Sequence, residues 1–493
     1  MGLTLPRTVV SSLFCVGLVI ALAVSTAARA AEVAVVSQGK SNPAHRSVLI
    51  NMVSHVSARP DFAGEACAAM YLERLGTGMD QDFVFDQSGV DPAQGRGCNI
   101  GELKLALERI GFLVGQVWYP ISGAQAEDDL AEQFSALHAD LDSGVPTIVE
   151  MRDSDRIDAE KRFRLVLGYD ADSDEILYHE PLEKEGSFKR MDRATLLKLW
   201  PLKAGRDWTI ARMPLKSDEK LNYVGPSSQD LLTDADYAQH VKKLKPFLPE
   251  GFHVFVQRPF VVVGNDIEGV VRTHASETVK WAIDRLKLMY FEKDPDHIII
   301  VWLLKDEKSY NETIAKFYKH QPASKFGYYS PGHKAIFANM SYGTGTLVHE
   351  IVHPFMLANF PKCPSWFNEG LASLYEQSND RDGRMLAQTN QRLGQLQKAI
   401  MARQVKPIET LAASSREEFY TGADRLMNYA QARYLCYYLE KHDLLGAFYH
   451  EFRSNVDDDP TGFKSLQKVL GEDGQDMGKF QRKWENWLLT KRY

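Results

Sequence analysis

Apolar residues fall along this chain in two patterns, a helical period and short continuous runs, and the order in which they alternate divides it. From about Arg46 to Leu215 the two mingle, as in an α/β unit. Residues 64–75 (GEACAAMYLERL) have helical spacing, with Cys67 in the first turn. Residues 99–110 predict a second helix, opened by an Asn99–Glu102 capping box and closed by Gly111. Residues 145–151 and 162–169 read as buried strands joined by a charged connection, and 175–178 begins another. Residues 191–200 predict the helix that closes this unit.

Residues 215–239 are polar and charged, contain Gly225-Pro226-Ser227-Ser228 and predict a linker. A second unit starts near Phe247. Residues 260–263 predict a strand, and Val279, Ile283, Leu286 and Tyr290 mark the buried stripe of a helix over 273–291. The run 298–304 (IIIVWLL) predicts a strand buried on both faces. Pro331-Gly332 turns the chain into a short strand, 334–341, where an extended peptide can add to a sheet edge. Everything after it reads as helical: 369–377, a long helix over 384–404, then 429–442, 463–470 and 480–489.

Composition changes this picture little. With 493 residues, two or three domains are expected. A hydrophobic fraction of 44%, a charged fraction of 25% and a net charge of −7 are ordinary for a globular protein. The mild acidity and the lack of any Lys/Arg-rich run argue against nucleic acid as a partner. The N-terminus changes more. Arg7, the apolar run 9–24 and Ala28-Arg29-Ala30 form a signal-peptide pattern, with cleavage expected after Ala30. The apolar run, at about 16 residues, is short of the about 20 that a span needs. The mature chain is therefore expected to be secreted or periplasmic, with no stable membrane span. Cys67, Cys98, Cys363 and Cys436 remain after cleavage, and export permits either disulfides or free buried thiols.

The stretch that carries chemistry is Gly345-Thr346-Leu347-Val348-His349-Glu350-Ile351-Val352-His353, followed by Trp366-Phe367-Asn368-Glu369-Gly370. On a helix, His349 and His353 lie one turn apart on one face and can converge on a single ion. Catalytic zinc usually takes three protein ligands and keeps one position open. Glu369, sixteen residues past His353, supplies the third. Glu350 is then the candidate catalytic base, beside the first histidine and within reach of a water on the ion. Tyr429, Tyr420 and Tyr329 are all candidates for stabilising an oxyanion.

These residues resemble the gluzincin, peptidase-MA-like, group of zinc metallopeptidases, over about Phe252 to the C-terminus. The resemblance implies that His349, His353 and Glu369 bind Zn2+, that Glu350 is the general base, and that the substrate is a peptide or protein. A second resemblance covers the front unit. A cysteine in the first turn of a helix, a strand ending Gly168-Tyr169-Asp170 and the pair Glu180-Pro181 look like the papain-like bacteriocin-leader peptidases. That family implies a nucleophile at Cys67, whose thiol a helix N-terminus would acidify. Its histidine position holds Arg162, its Asp-Pro is Glu180-Pro181, and Asp61 stands where a glutamine is usual.

The expected architecture is α+β with two domains. Residues 1–30 are the signal peptide, 31–215 a papain-like α/β domain, inactive for want of its base, 216–246 a linker, and 247–493 a zincin-like domain of small sheet, active-site helix and helical C-terminal subdomain. The function this implies is that of an exported zinc peptidase using Glu350. The alternatives are a non-catalytic peptide-binding or scaffold protein and a cysteine peptidase acting through Cys67. The two-domain order also raises the idea of a front domain that covers the zinc cleft.

Overall fold

The computed structural model describes residues 45–156, 158–204, 206–217, 221 and 232–493. The signal pattern and Gly225-Pro226-Ser227-Ser228 lie outside the described residues. The fold is α+β: an N-terminal unit on an antiparallel sheet, then a mixed sheet, then a helical C-terminal region.

The front unit runs β1 (Val48–Leu49), α1 (Ala63–Arg74), α2 (Gln81–Asp86), α3 (Ile100–Ile110), β2 (Trp118–Ile121), α4 (Ala126–Asp142), β3 (Thr147–Arg152), β4 (Lys161–Asp170), β5 (Glu175–His179), β6 (Lys189–Asp192), α5 (Arg193–Leu199), β7 (Leu202–Ala204) and β8 (Asp207–Pro214). Its sheet is ordered β2-β8-β3-β4-β5-β6, with β1 added on β4 and β7 on β8. The expected Asn99–Glu102 capping box and the left-handed Gly111 bound α3. The segment read as one helix over 191–200 starts instead as the end of β6. Asp192 pairs with Glu175 and then caps α5, its carboxylate accepting from Thr195 N.

The stretch read as linker contains α6 (Asp234–Leu244), opened by a Thr233–Asp236 capping box. This helix is apolar on two sides. Ala235 and Ala238 pack into the front core, while Tyr237 and Val241 pack against the second sheet. Polar contacts add to this seam. Ala235 N donates to Asp86, Gln239 Nε2 donates to Pro60 O, and Lys242 pairs with Asp61.

The second unit continues with β9 (His253–Gln257), β10 (Phe260–Gly264), α7 (Glu268–Thr273), a π-helical stretch (His274–Lys280), α8 (Trp281–Met289), β11 (Ile299–Leu304), α9 (Glu307–Tyr318), β12 (Gly327–Ser330) and β13 (Ala335–Asn339). Its sheet is ordered β12-β13-β11-β10-β9, with the two pairs flanking β11 parallel. Both faces are covered, as the run 298–304 predicts. Ile299, Val301 and Leu303 face one core, Trp302 and Leu304 the other. The strand expected to offer a free edge, β13, lies inside the sheet, because residues 327–330 fold back on it; β12 is the edge.

The helical region comprises α10 (Gly345–Asn359), α11 (Ser365–Leu374), α12 (Arg392–Met401), α13 (Ile408–Ala412), α14 (Arg416–Tyr420), α15 (Arg425–Lys441), α16 (Leu445–Asn455), α17 (Phe463–Leu470) and α18 (Met477–Leu489). A hairpin of β14 (Ser378–Arg381) and β15 (Arg384–Ala387) interrupts it. The long helix expected over 384–404 therefore opens as strand, Arg384–Ala387, and is helical only over Arg392–Met401. Its turn, Asp382-Gly383, has positive φ at both residues (54° and 76°), the requirement of a tight hairpin turn.

Candidate metal centre

The apolar positions of α10, Leu347, Val348, Ile351, Val352 and Phe355, bury one side of the helix in the core between sheet and bundle. That burial turns His349, Glu350 and His353 toward α11. Gly345 lets the helix start where it does, since a Cβ there would come within 2.3 Å of Glu376 O. The facing helix α11 is seated by Trp366, Phe367 and Leu371, and Trp366 Nε1 donates to Thr461 O at 2.9 Å. Gly370 lets α15 close on it, because an added Cβ would stand 2.9 Å from Cys436 Sγ and 3.0 Å from Ala432 O.

These constraints bring Glu369 to the two histidines. Glu369 Oε2 lies 3.1 Å from His349 Nε2, and Glu369 Oε1 lies 3.9 Å from His353 Nε2. One donor atom from each of the three residues falls within 4.8 Å of the others. His349 is 8% exposed and Glu369 5%.

Each ligand is held from behind. His349 Nδ1 faces Glu376 Oε1 at 3.0 Å, and His353 Nδ1 faces Asn368 Oδ1 at 3.1 Å. Carboxylate and amide oxygens here only accept, so the nearby Nδ1 of each ring is the donor side, and with a cation bound each ring would turn an Nε2 lone pair to it. Glu376 is in turn paired with Arg392. Tyr420 donates its hydroxyl to Glu369 Oε1 at 2.6 Å. Glu369 Oε2 is buried without a hydrogen-bond partner, 3.1 Å from His349 Nε2. Two imidazole lone pairs and an unsatisfied carboxylate oxygen converging in a buried pocket are the donor set of a divalent metal, and a group that could hold one. Glu376, Asn368 and the Tyr420 contact were not anticipated from sequence.

The field inside the cluster agrees. Burial alone would push Glu369 up, yet His353, His349 and the Tyr420 hydroxyl hold it down at about 2. Burial alone would push His349 down; Glu369 and Glu376 override it and hold the ring well above its ordinary value. A site that concentrates negative charge on an imidazole in this way favours a cation between them.

Glu350 is not part of the triad. Burial raises its pKa, against the pull of the two histidines. Its Oε2 accepts from Tyr329 N at 2.8 Å, so edge strand β12 fixes its position, and it stands 3.8 Å from His353 Nε2. Of the three tyrosines, Tyr420 is committed to Glu369 and Tyr329 reaches Glu350 through its backbone. Tyr429 shares the cleft wall, and burial, with the charge of Glu369 adding to it, raises its pKa.

These groups lie in a cleft of about 760 Å³. Among the described residues its lining runs from Ala323 to Tyr429 and includes none of the front unit.

In the front unit Cys67 is fully buried, and burial, with Glu180 and Glu65 adding to it, pushes its thiol well above the ordinary range. The acidifying effect expected of the helix N-terminus is overruled. His179 is no substitute base: Nε2 binds Val53 O and Nδ1 accepts from Phe188 N, each at 2.9 Å. Glu180 is occupied by a buried pair with Arg164 at 2.9 Å. All four cysteines are free.

No curated protein matches the chain. Residues 344–457, which span α10 to the end of α16 and contain His349, Glu350, His353 and Glu369, match a family described as a protein of unknown function, DUF1570.

Proposed function

We propose that the protein is an exported zinc peptidase of the gluzincin kind, with His349, His353 and Glu369 as zinc ligands and Glu350 as general base. The observation that carries this reading is Glu350 itself. A site that only stored metal has no use for a second buried carboxylate beside the triad, held by a strand N–H and free of the ligand set. Zinc in this position supplies Lewis-acid chemistry toward a carbonyl and toward water. Glu350 is placed to take the proton of an attacking water and return it to the leaving amine. Tyr429 is the hydroxyl left to donate to the developing oxyanion. An extended peptide can pair with the exposed side of β12, whose Gly327, Tyr328 and Tyr329 line the cleft. The N-terminal signal pattern puts this activity outside the cytoplasm, and the front unit serves as a non-catalytic, papain-like partner domain.

Zinc content and hydrolysis of a quenched peptide library, measured on the wild type and Glu350→Gln, test the proposal. Both proteins should hold one zinc, and the variant should lose about 10²–10⁴-fold in rate. Stoichiometric zinc without cleavage by the wild type would favour the scaffold reading instead.

A further inference from the structure

The ionisable groups lining the cleft do not balance. Its carboxylates are Glu350, Glu369 and Glu376, and its guanidinium groups are Arg392, Arg416 and Arg425. A divalent ion on the triad together with Arg392, which is paired to Glu376, offsets the three carboxylates. The charges of Arg416 and Arg425 are left over. Both side chains are exposed, and no carboxylate among the described residues forms an ion pair with either.

Their placement ties this surplus to the site. Arg416 stands over the ring of Tyr420, 5.1 Å from its centroid, and the hydroxyl of that ring holds Glu369. Arg425 opens α15 one turn before Tyr429, and the Tyr420 and Tyr429 rings are neighbours at 6.3 Å. The two arginines therefore flank a tyrosine wall whose inner end is the zinc ligand. Exposed Leu426, also lining the cleft, stands beside Arg425.

We infer that Arg416 and Arg425 form an anion subsite that selects substrates carrying a carboxylate a short distance from the bond to be cut. This rests on the peptidase reading for its substrate class and on an occupied triad for the charge surplus. A guanidinium fork matches a carboxylate bidentately, and a cleft with a net positive end draws such groups in. The carboxylate comes from a peptide C-terminus or from an Asp or Glu side chain, and the two sources are separable.

The test uses zinc-loaded Glu350→Gln full-length chain and three fluorescent peptides of otherwise neutral sequence: one with a free C-terminus, its C-terminal amide, and the amide with one internal Glu. Anisotropy should show one carboxylate peptide binding about tenfold or more tighter than the plain amide, and which one identifies the source. Adding Arg416→Gln and Arg425→Gln should bring that ratio near one, and Arg425→Glu should invert it. Equal binding of all three peptides, or a preference that survives both substitutions, would overturn the inference. The kcat/KM ratios on active enzyme give a second reading. A binding preference without any cleavage would keep the subsite and sink the peptidase; cleavage without a preference would do the reverse.

Discussion

The hydroxyl of Tyr420 donates to Glu369 Oε1 across 2.6 Å, fastening α14 to the carboxylate that α11 presents. The contact leaves Oε2 as the free oxygen turned toward His349. Tyr420→Phe keeps the ring and removes the donor, so Glu369 gains a second free oxygen and rotational freedom. Zinc affinity, measured by chelator competition, should fall about 10- to 100-fold, the usual cost of losing a group that orients a ligand. The fold should be unchanged by circular dichroism. An unaltered zinc affinity would show that the ligand is oriented by packing alone.

Glu376 does for His349 what Tyr420 does for Glu369. Its Oε1 lies 3.0 Å from His349 Nδ1, and although burial pushes its carboxyl up, His349 and the Arg392 pairing hold it ionised, at about 2. Glu376→Ala frees the ring to turn and should weaken zinc by about 10- to 100-fold. Glu376→Gln retains an acceptor oxygen for Nδ1–H and should weaken it less. If the two variants hold zinc equally well, the Nδ1 contact does not set the tautomer.

The His349, His353 and Glu369 cluster that could hold a metal was legible in the sequence, and its supports were not, for a reason that Glu376 makes plain. H-E-x-x-H fixes its own geometry, because i and i+4 share a helix face wherever the helix goes. Glu369 needs only a second helix facing the first, and the sequence predicts one over 369–377, which the structure starts at Ser365 and ends at Leu374. Glu376 lies past the end of α11, and its approach to His349 depends on how the chain turns into β14. A signal was present, since Glu369 and Glu376 are seven residues apart and share a face on the helix read over 369–377. The hairpin after it carried one too, the turn-forming pair Asp382-Gly383 just before the stretch read as helix from 384. The seam helix α6 was hidden differently. Its apolar residues split between two partners, so no single stripe stands out until both cores are known. Cys67 failed in the opposite direction: its helix position was right, but burial, which sequence does not display, decides its chemistry.

Helices α11 and α15 pack tightly at Gly370, which adjoins Glu369 of the candidate metal cluster. Gly370→Ala puts a methyl group 2.9 Å from Cys436 Sγ and 3.0 Å from Ala432 O. The first neighbour is a side chain and the second is helix backbone, so the helices must part. The expected cost is about 1–3 kcal/mol of stability by urea unfolding, with a further loss of zinc affinity as Glu369 shifts. Cys436→Ala in the same chain removes the sulfur clash only and should recover part of the stability. Full recovery would show that the backbone contact accommodates the methyl group.

Glu65 makes the front unit sensitive to pH. Its carboxylate is buried in α1, with Oε1 accepting from Cys98 N at 2.7 Å and Oε2 unpartnered. Burial lifts its pKa from 4.5 to about 7 against the lowering effect of that hydrogen bond. The folded state therefore binds this proton more tightly than the unfolded state does. The stability it contributes is fully present below about pH 4.5, is lost as pH rises toward about 7, and changes no further above that. The loss is on the order of 3 kcal/mol at most. Asp86, lifted to about 7 chiefly by burial, adds a step of the same sign. Urea unfolding of the wild type between pH 5 and 8 should show stability falling with pH. Glu65→Gln, which keeps an acceptor for Cys98 N, should flatten that fall, and Glu65→Gln with Asp86→Asn should flatten it further. His45, His179 and His240, whose pKa burial lowers, push stability the other way with pH, so the decisive comparison is with the variants: a pH profile that Glu65→Gln and Asp86→Asn leave unchanged would mean that neither carboxylate has a raised pKa.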